Sequence, residues 1–137
     1  MPSRSVSIAA LVVLAAGVSA AAAGGGYYQY RERQESKTRA IALTGGNPDR
    51  ARDVIGKYGC AGCHQISGIR SPGGRAAPPL NDVGARMYVG GVLTNTGDNL
   101  VRWIVNPKAF SPRTAMPVTG ISEEEARHVA TYLYALR

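Results

Sequence analysis

Cysteine and histidine are both scarce, with two of each in 137 residues. A closed zinc tetrahedron takes four ligands, usually from two spaced pairs. Here Cys60, Cys63 and His64 crowd into one stretch and only His128 is left, so a zinc reading fails. Aromatic residues are few as well: one Trp, one Phe and seven Tyr. Leu, Val, Ile and Ala must then build a modest core, and a large buried cofactor fits such a composition. Acidic residues are outnumbered, with 9 Asp+Glu against 16 Lys+Arg and a formal charge of +7. Strand-like alternation and internal repeats are missing too. Their absence removes the βαβ setting in which a redox Cys-x-x-Cys dithiol is found.

What is present begins with a long apolar run. No charge occurs between Arg4 and Arg31, and the stretch is apolar mainly from Val6 to Ala23. Gly24–Gly26, Tyr27, Tyr28 and Tyr30 come next, and then the charged RERQESKTR. About twenty apolar residues with interfacial tyrosines describe a membrane anchor. A basic start, a short apolar core and small residues at 18–20 or 20–22 describe a cleaved signal peptide. Both readings export the rest of the chain. The sequence therefore divides into an anchor or signal over 1–30, a tether over 31–45 and a domain over 46–137.

The exported part reads as all-α, with three to four short helices and long loops. Asn47 as N-cap and Pro48 at the first helical position open a helix over Asp49–Tyr58. Its apolar face is Ala51, Val54, Ile55 and Tyr58, and Gly59 stops it. Gly68 to Pro79 is loop. Asn81 to Val92 has room for a short helix. Thr94 to Asn99 is a turn and cap region before a helix over Leu100–Val105, which Asn106–Pro107 ends. A second long loop runs from Pro107 to Gly120. Ser122 and Glu125 form a capping box for the last helix, whose apolar face is Ala126, Val129, Ala130, Leu133 and Leu136. Short helices and long loops leave little helix-on-helix core, so something else must fill the middle.

The stretch YGCAGCHQI points to what that is. Given one Cys, a Cys at +3 and a His at +4 arise by chance on the order of one time in a thousand. Cys-x-x-Cys-His is the pattern of covalent haem attachment. Each thiol adds across one porphyrin vinyl group, two intervening residues let one turn of chain reach both, and the next imidazole falls beneath the iron. An electron carrier needs a second axial ligand. Met116, Met87, His128 and a lysine are the possibilities. Met116, in the loop sequence TAMPVTG, has no packing role to explain it and is the preferred one. Met87 reads equally as core, and His128 as a helix-surface residue. Thioether ligation favours the ferrous state and raises the potential.

CAGCH, APPLNDVGAR, LVRWIVNP, TAMPVTG and EEEARHVATYLYAL occur in that order from about Gly46 to the C-terminus. Together they resemble the single-haem, Met/His cytochrome c family, and most of all its membrane-anchored members and the domains fused to subunit II of haem–copper oxidases. The resemblance implies one haem c, held through Cys60 and Cys63 and ligated by His64 and Met116. It implies that the Pro78 carbonyl accepts from His64 Nδ1, that Leu80 packs on the haem, and that Arg86 and Trp103 lie near the propionates. It also implies that Ala51, Tyr132 and Leu133 form a crossing of the first and last helices. The family usually has Gly where Ala51 and Ala77 stand. Ala51 then widens the crossing slightly, and Ala77 means that no positive φ is needed there.

The function expected from this is one-electron transfer by a carrier that is not itself an enzyme. Its partners are a quinol-oxidising complex and a terminal oxidase, with no nucleic acid and no small-molecule substrate. The place expected is the periplasmic face of a bacterial inner membrane, or the soluble periplasm after signal cleavage. An electron-accepting subunit of an exported dehydrogenase is the alternative, or a haem peroxidase if the sixth iron position is open. From Ile41 onward there are 11 Lys+Arg against 7 Asp+Glu, a balance of +4. Arg70, Arg75, Lys108 and Arg113 fall in the two long loops and are expected to steer docking to an acidic partner.

Overall fold

The computed structural model describes residues 4–136, and side chains from residue 8 to 136. It contains four α-helices among the described residues: α1 (Arg4–Thr44), α2 (Ala51–Lys57), α3 (Gly97–Val105) and α4 (Glu123–Ala135). Short 3-10 turns cover Cys60–Gly62, Val83–Ala85 and Pro107–Ala109. The only sheet among the described residues is a minimal antiparallel hairpin of β1 (Tyr88–Val89) and β2 (Leu93–Thr94), pairing Tyr88 with Thr94 and Val89 with Leu93. Where the sequence left room for a helix over 81–92, the chain makes one 3-10 turn and this hairpin. Two-residue strands are too short for any alternation to show.

Two compact units divide the chain, one ending at Gln34 and the other beginning at Glu35. The first is helical and by length and composition apolar enough to cross a membrane. Ile8, Leu11, Val12, Val13, Leu14 and Val18 are all exposed on it. At its polar end the Tyr27 and Tyr28 rings meet edge-on at 6.3 Å, and Arg31 Nη1 donates to Tyr27 Oη at 3.2 Å.

The second unit starts with the last turns of α1, where Ser36, Ala40 and Thr44 are buried at a four-residue spacing. Thr44 Oγ1 meets Thr131 Oγ1 at 2.5 Å, and Arg127 Nη1 donates to the Thr44 carbonyl at 3.0 Å. Gly46 lies so close to the Arg127 carbonyl and the Thr131 hydroxyl that no side chain fits there. Residues 31–44 are thus helical to their end, and the final turns belong to the packed unit.

Helix α2 begins at Ala51, with Arg50 as its N-cap, one turn of chain later than Asn47–Pro48 suggested. The Asn47 Oδ1 accepts from the Asp49 amide at 2.9 Å, an Asx turn that precedes the helix. Gly59 does stop it, in the left-handed region at φ 66°. Thr96 caps α3 through the Asn99 amide, and Ser122 caps α4 with the full capping box. Helix α4 packs against both α2 and α3. The contact is lined by Ala51, Ala126 and Ala130, each wholly buried, with Ile55, Val101 and Leu133 filling the space around them. Full burial of a side chain such as Leu133 contributes about 2 kcal/mol.

Candidate haem-binding site

The cysteine loop is built by the end of α2. After Gly59 turns the chain, the amides of Cys63 and His64 both donate to the Cys60 carbonyl, at 3.2 and 3.0 Å. Cys60, Cys63 and His64 therefore share one tight turn. The two cysteines are not joined to each other. Cys63 is exposed, while Cys60 is half-buried and desolvation pushes its thiol pKa up.

A second segment is laid against this turn. The Ala77 amide donates to the Cys63 carbonyl at 3.0 Å and the Leu80 amide to the Gln65 carbonyl at 2.9 Å. His64 and Arg75 form an isolated antiparallel bridge. Gly73 and Gly74 make the approach possible. A Cβ on Gly73 would sit 2.5 Å from the Gly62 carbonyl oxygen, and one on Gly74 would sit 2.7 Å from that of His64. Ala77 has no positive φ, as the sequence implied.

The result of this bracing is one decisive contact. His64 Nδ1 lies 2.8 Å from the Pro78 carbonyl oxygen. A carbonyl only accepts, so Nδ1 is the donor, and in the neutral ring Nε2 then keeps its lone pair. That tautomer suits a metal-ligating imidazole with its other nitrogen anchored. An exposed thiol, a half-buried thiol and an oriented imidazole within five residues fit the attachment site of a covalent haem.

Of the other expected residues, Leu80 and Arg86 are tied to the segment laid against this turn, and Trp103, Met116, Met87 and His128 have separate settings. Leu80 is half-buried and packs against the core. Arg86 is no freely solvated charge: its Nη2 donates to the Pro79 carbonyl and to Asp82 Oδ1 at 2.6 Å. This contact holds the Asp82 carboxyl below its ordinary pKa. Trp103 is half-buried, with its six-membered ring pressed so close to Gly90 that a side chain there would overlap it. Met116 is half-buried in the second loop, and its amide donates to Thr114 Oγ1 at 3.3 Å. Met87 is 77% exposed, so the reading of it as a core residue is corrected. His128 has a local task instead, accepting the Asn47 amide on Nδ1 at 3.0 Å.

Two features escaped sequence reasoning. Asn95 uses its whole amide: Nδ2 donates to the Val83 and Arg86 carbonyls at 2.7 and 2.8 Å, and Oδ1 accepts from Tyr134 Oη at 2.6 Å. It ties the Val83–Arg86 turn to α4. Nothing in the sequence separates it from an ordinary cap residue beside Thr96. Glu125 receives Lys57 and Tyr58 in addition to Ser122, a contact across 67 residues that no local pattern signals.

The family model for cytochrome c matches residues 48–137. The chain belongs to the cytochrome c family. Among curated relatives it is 31% identical over 90 residues to cytochrome c oxidase subunit 2 of Alkalihalophilus pseudofirmus, covering 65% of this chain and 25% of that one. It is 30% identical over 89 residues to the protein of the same name from Bacillus sp. (strain PS3), covering 62% and 25%. The chain thus spans about a quarter of the length of the curated relatives it matches. Membership of the cytochrome c family implies a haem and electron transfer, and Cys60 and Cys63 have the spacing for covalent attachment.

Proposed function

We propose that this cytochrome c is a one-electron carrier tethered to a membrane by the first part of α1. In this reading Cys60 and Cys63 would hold haem c through thioethers, and His64 and Met116 would ligate its iron. The observation that carries it is the 2.8 Å contact between His64 Nδ1 and the Pro78 carbonyl, which orients the imidazole and sustains its basicity. The bound haem supplies a reversible ferric/ferrous couple. The chain supplies the rest. The Gly73–Gly74 brace keeps the imidazole fixed, so little rearrangement accompanies a change of charge. With His64 and Met116 both on the iron, no place would be left for a substrate. Pro78 would hold the imidazole, and Leu80, Arg86 and Trp103 would border the haem.

We place the domain on the periplasmic face of a bacterial inner membrane, taking electrons from a quinol-oxidising complex and delivering them to a terminal oxidase. The likeness to oxidase subunits supports that acceptor. It also favours a second reading, in which the chain works as a component of an oxidase and not as a separate shuttle. Anchoring raises the effective concentration of carrier at its partners in either case.

Electrostatics supports an acidic docking partner. Arg70, Arg75, Lys108 and Arg113 are all exposed, and none has an anionic partner among the described residues. The remaining cations include Lys37, Lys57, Arg86 and Arg127, which are paired with Asp49, Glu125, Asp82 and two acids respectively. The intact mass of the native protein tests attachment and processing together. It should equal the polypeptide, with or without the leader, plus one haem that survives denaturation. A polypeptide mass alone contradicts the proposal. Electron transfer to an oxidase should slow as salt rises, and co-purification with oxidase subunits separates the component from the shuttle.

A further inference from the structure

Glu125 does more than close the capping box of α4. Its carboxylate accepts from Lys57 Nζ and from Tyr58 Oη, each at 2.7 Å, and from Ser122 Oγ at 3.0 Å. Lys57 is the last residue of α2 and Tyr58 its C-cap, immediately before Gly59 and Cys60. Ser122 closes the loop that carries Met116 and ends at the buried Ile121. One carboxylate therefore joins the stretch that enters the cysteine loop to the stretch that leaves the methionine loop. Lys57 adds a contact of 4.9 Å to the Tyr58 ring, which keeps the cation in place. Lys57 first, and Tyr58 next, bring the Glu125 pKa from its ordinary 4.5 to about 2. The link is thus intact wherever the protein is folded near neutral pH.

We infer that Glu125 is a positioning residue for the second axial ligand: by fastening the ends of both loops, it suppresses the form of the protein in which Met116 is released. The inference rests on the proposed His64 and Met116 ligation. Other ion pairs of α4 have no such reach. Arg127 meets Asp98 at 3.2 Å and Glu123 at 2.7 Å, joining α4 to the start of α3 and to its own first turn.

Imidazole binding to the ferric protein tests this, because exogenous imidazole enters only when the methionine leaves. Its apparent affinity scales with the population of the released form, so Glu125→Ala should bind imidazole roughly fivefold more tightly than the native protein. Tyr58→Phe removes one arm and should give roughly a twofold change, with Glu125→Gln between the two. Asp98→Ala weakens an α4 ion pair that touches neither loop and should leave the affinity unchanged. If Glu125→Ala and Asp98→Ala tighten binding alike, or if neither does, Glu125 is merely structural and the inference fails. If Glu125→Ala does not fold, an unchanged affinity in Tyr58→Phe overturns it. The ligation reading is tested separately, since a native ferric protein without the near-infrared Met–Fe band refutes it before any variant is made, and the inference falls with it.

Discussion

The cysteine–histidine loop and the methionine loop are held in different ways. Around His64 the chain is doubled: the 71–81 segment contributes amide donors to the Cys63 and Gln65 carbonyls and the Pro78 acceptor to the imidazole. Asn81 Oδ1 accepts the Ser67 amide at 2.6 Å, and Tyr132 Oη donates to the Ser67 carbonyl at 2.8 Å, which fastens the layer to α4. Around Met116 the bonds stay inside the loop. Those nearest Met116 are the Thr114 amide to the Ser111 carbonyl at 3.0 Å and the Met116 amide to Thr114 Oγ1 at 3.3 Å. Few bonds across elements mean a low local opening energy. The His64 loop is therefore preorganised, and the Met116 loop depends on its ends, Pro107 and Ile121, both buried.

The strongest way to break that contrast is to damage the braced side. Gly74→Ala drives a methyl group against the His64 carbonyl and the Gln65 amide. The expected loss is about 3 kcal/mol in urea unfolding, with poorer haem incorporation. Asn95→Ala comes next. It strips two donors from the Val83 and Arg86 carbonyls and one acceptor from Tyr134, for a loss of about 2 kcal/mol in the same assay. Thr114→Val removes the side-chain bond to the Met116 amide and should cost only about 0.5 kcal/mol. A loss as large as that of Asn95→Ala would erase the distinction between the loops.

The smallest effect on stability is one of pH. The Glu125 carboxyl is depressed from 4.5 to about 2 in the folded protein, by Lys57 first and then Tyr58. A depressed pKa adds stability that is fully present above the unfolded value and is lost as pH falls toward the folded one. The native protein should therefore lose stability between about pH 4.5 and about pH 2, and Glu125→Gln should show a flatter acid limb over that window. The carboxylate is only part-buried and Lys57 is exposed, so solvent screening keeps the effect modest. Equal acid limbs in the two proteins would show that the carboxylate gains nothing from Lys57.

Much of the fold and site was legible because the signals are local. Gly59 as a stop, Ser122 with Glu125 as a capping box, and Cys60–His64 as one unit all depend on residues within five positions of each other. The helix over 100–105 was found but starts earlier, at Gly97, because Thr96 takes the cap. Asn47 misled for a physical reason, since an Asx turn and an N-cap use the same side chain. The hairpin at 88–94 depends on Gly90 and Gly91, both at positive φ, and on the Trp103 ring beneath Gly90. Such a contact between distant residues leaves no periodic trace. The same holds for Asn95 with Tyr134, and for Lys57 and Tyr58 with Glu125. Burial at 36, 40 and 44 escaped notice because Ser, Ala and Thr look neither apolar nor patterned until α4 is placed against them.

The proposed electron transfer requires paired ligation by His64 and Met116, and near-infrared absorption of the ferric protein tests that proposal most directly. The native protein should show the Met–Fe charge-transfer band, and Met116→Ala should abolish it while the haem stays covalently attached. A native protein without the band, or a band that survives in Met116→Ala, would contradict the pairing.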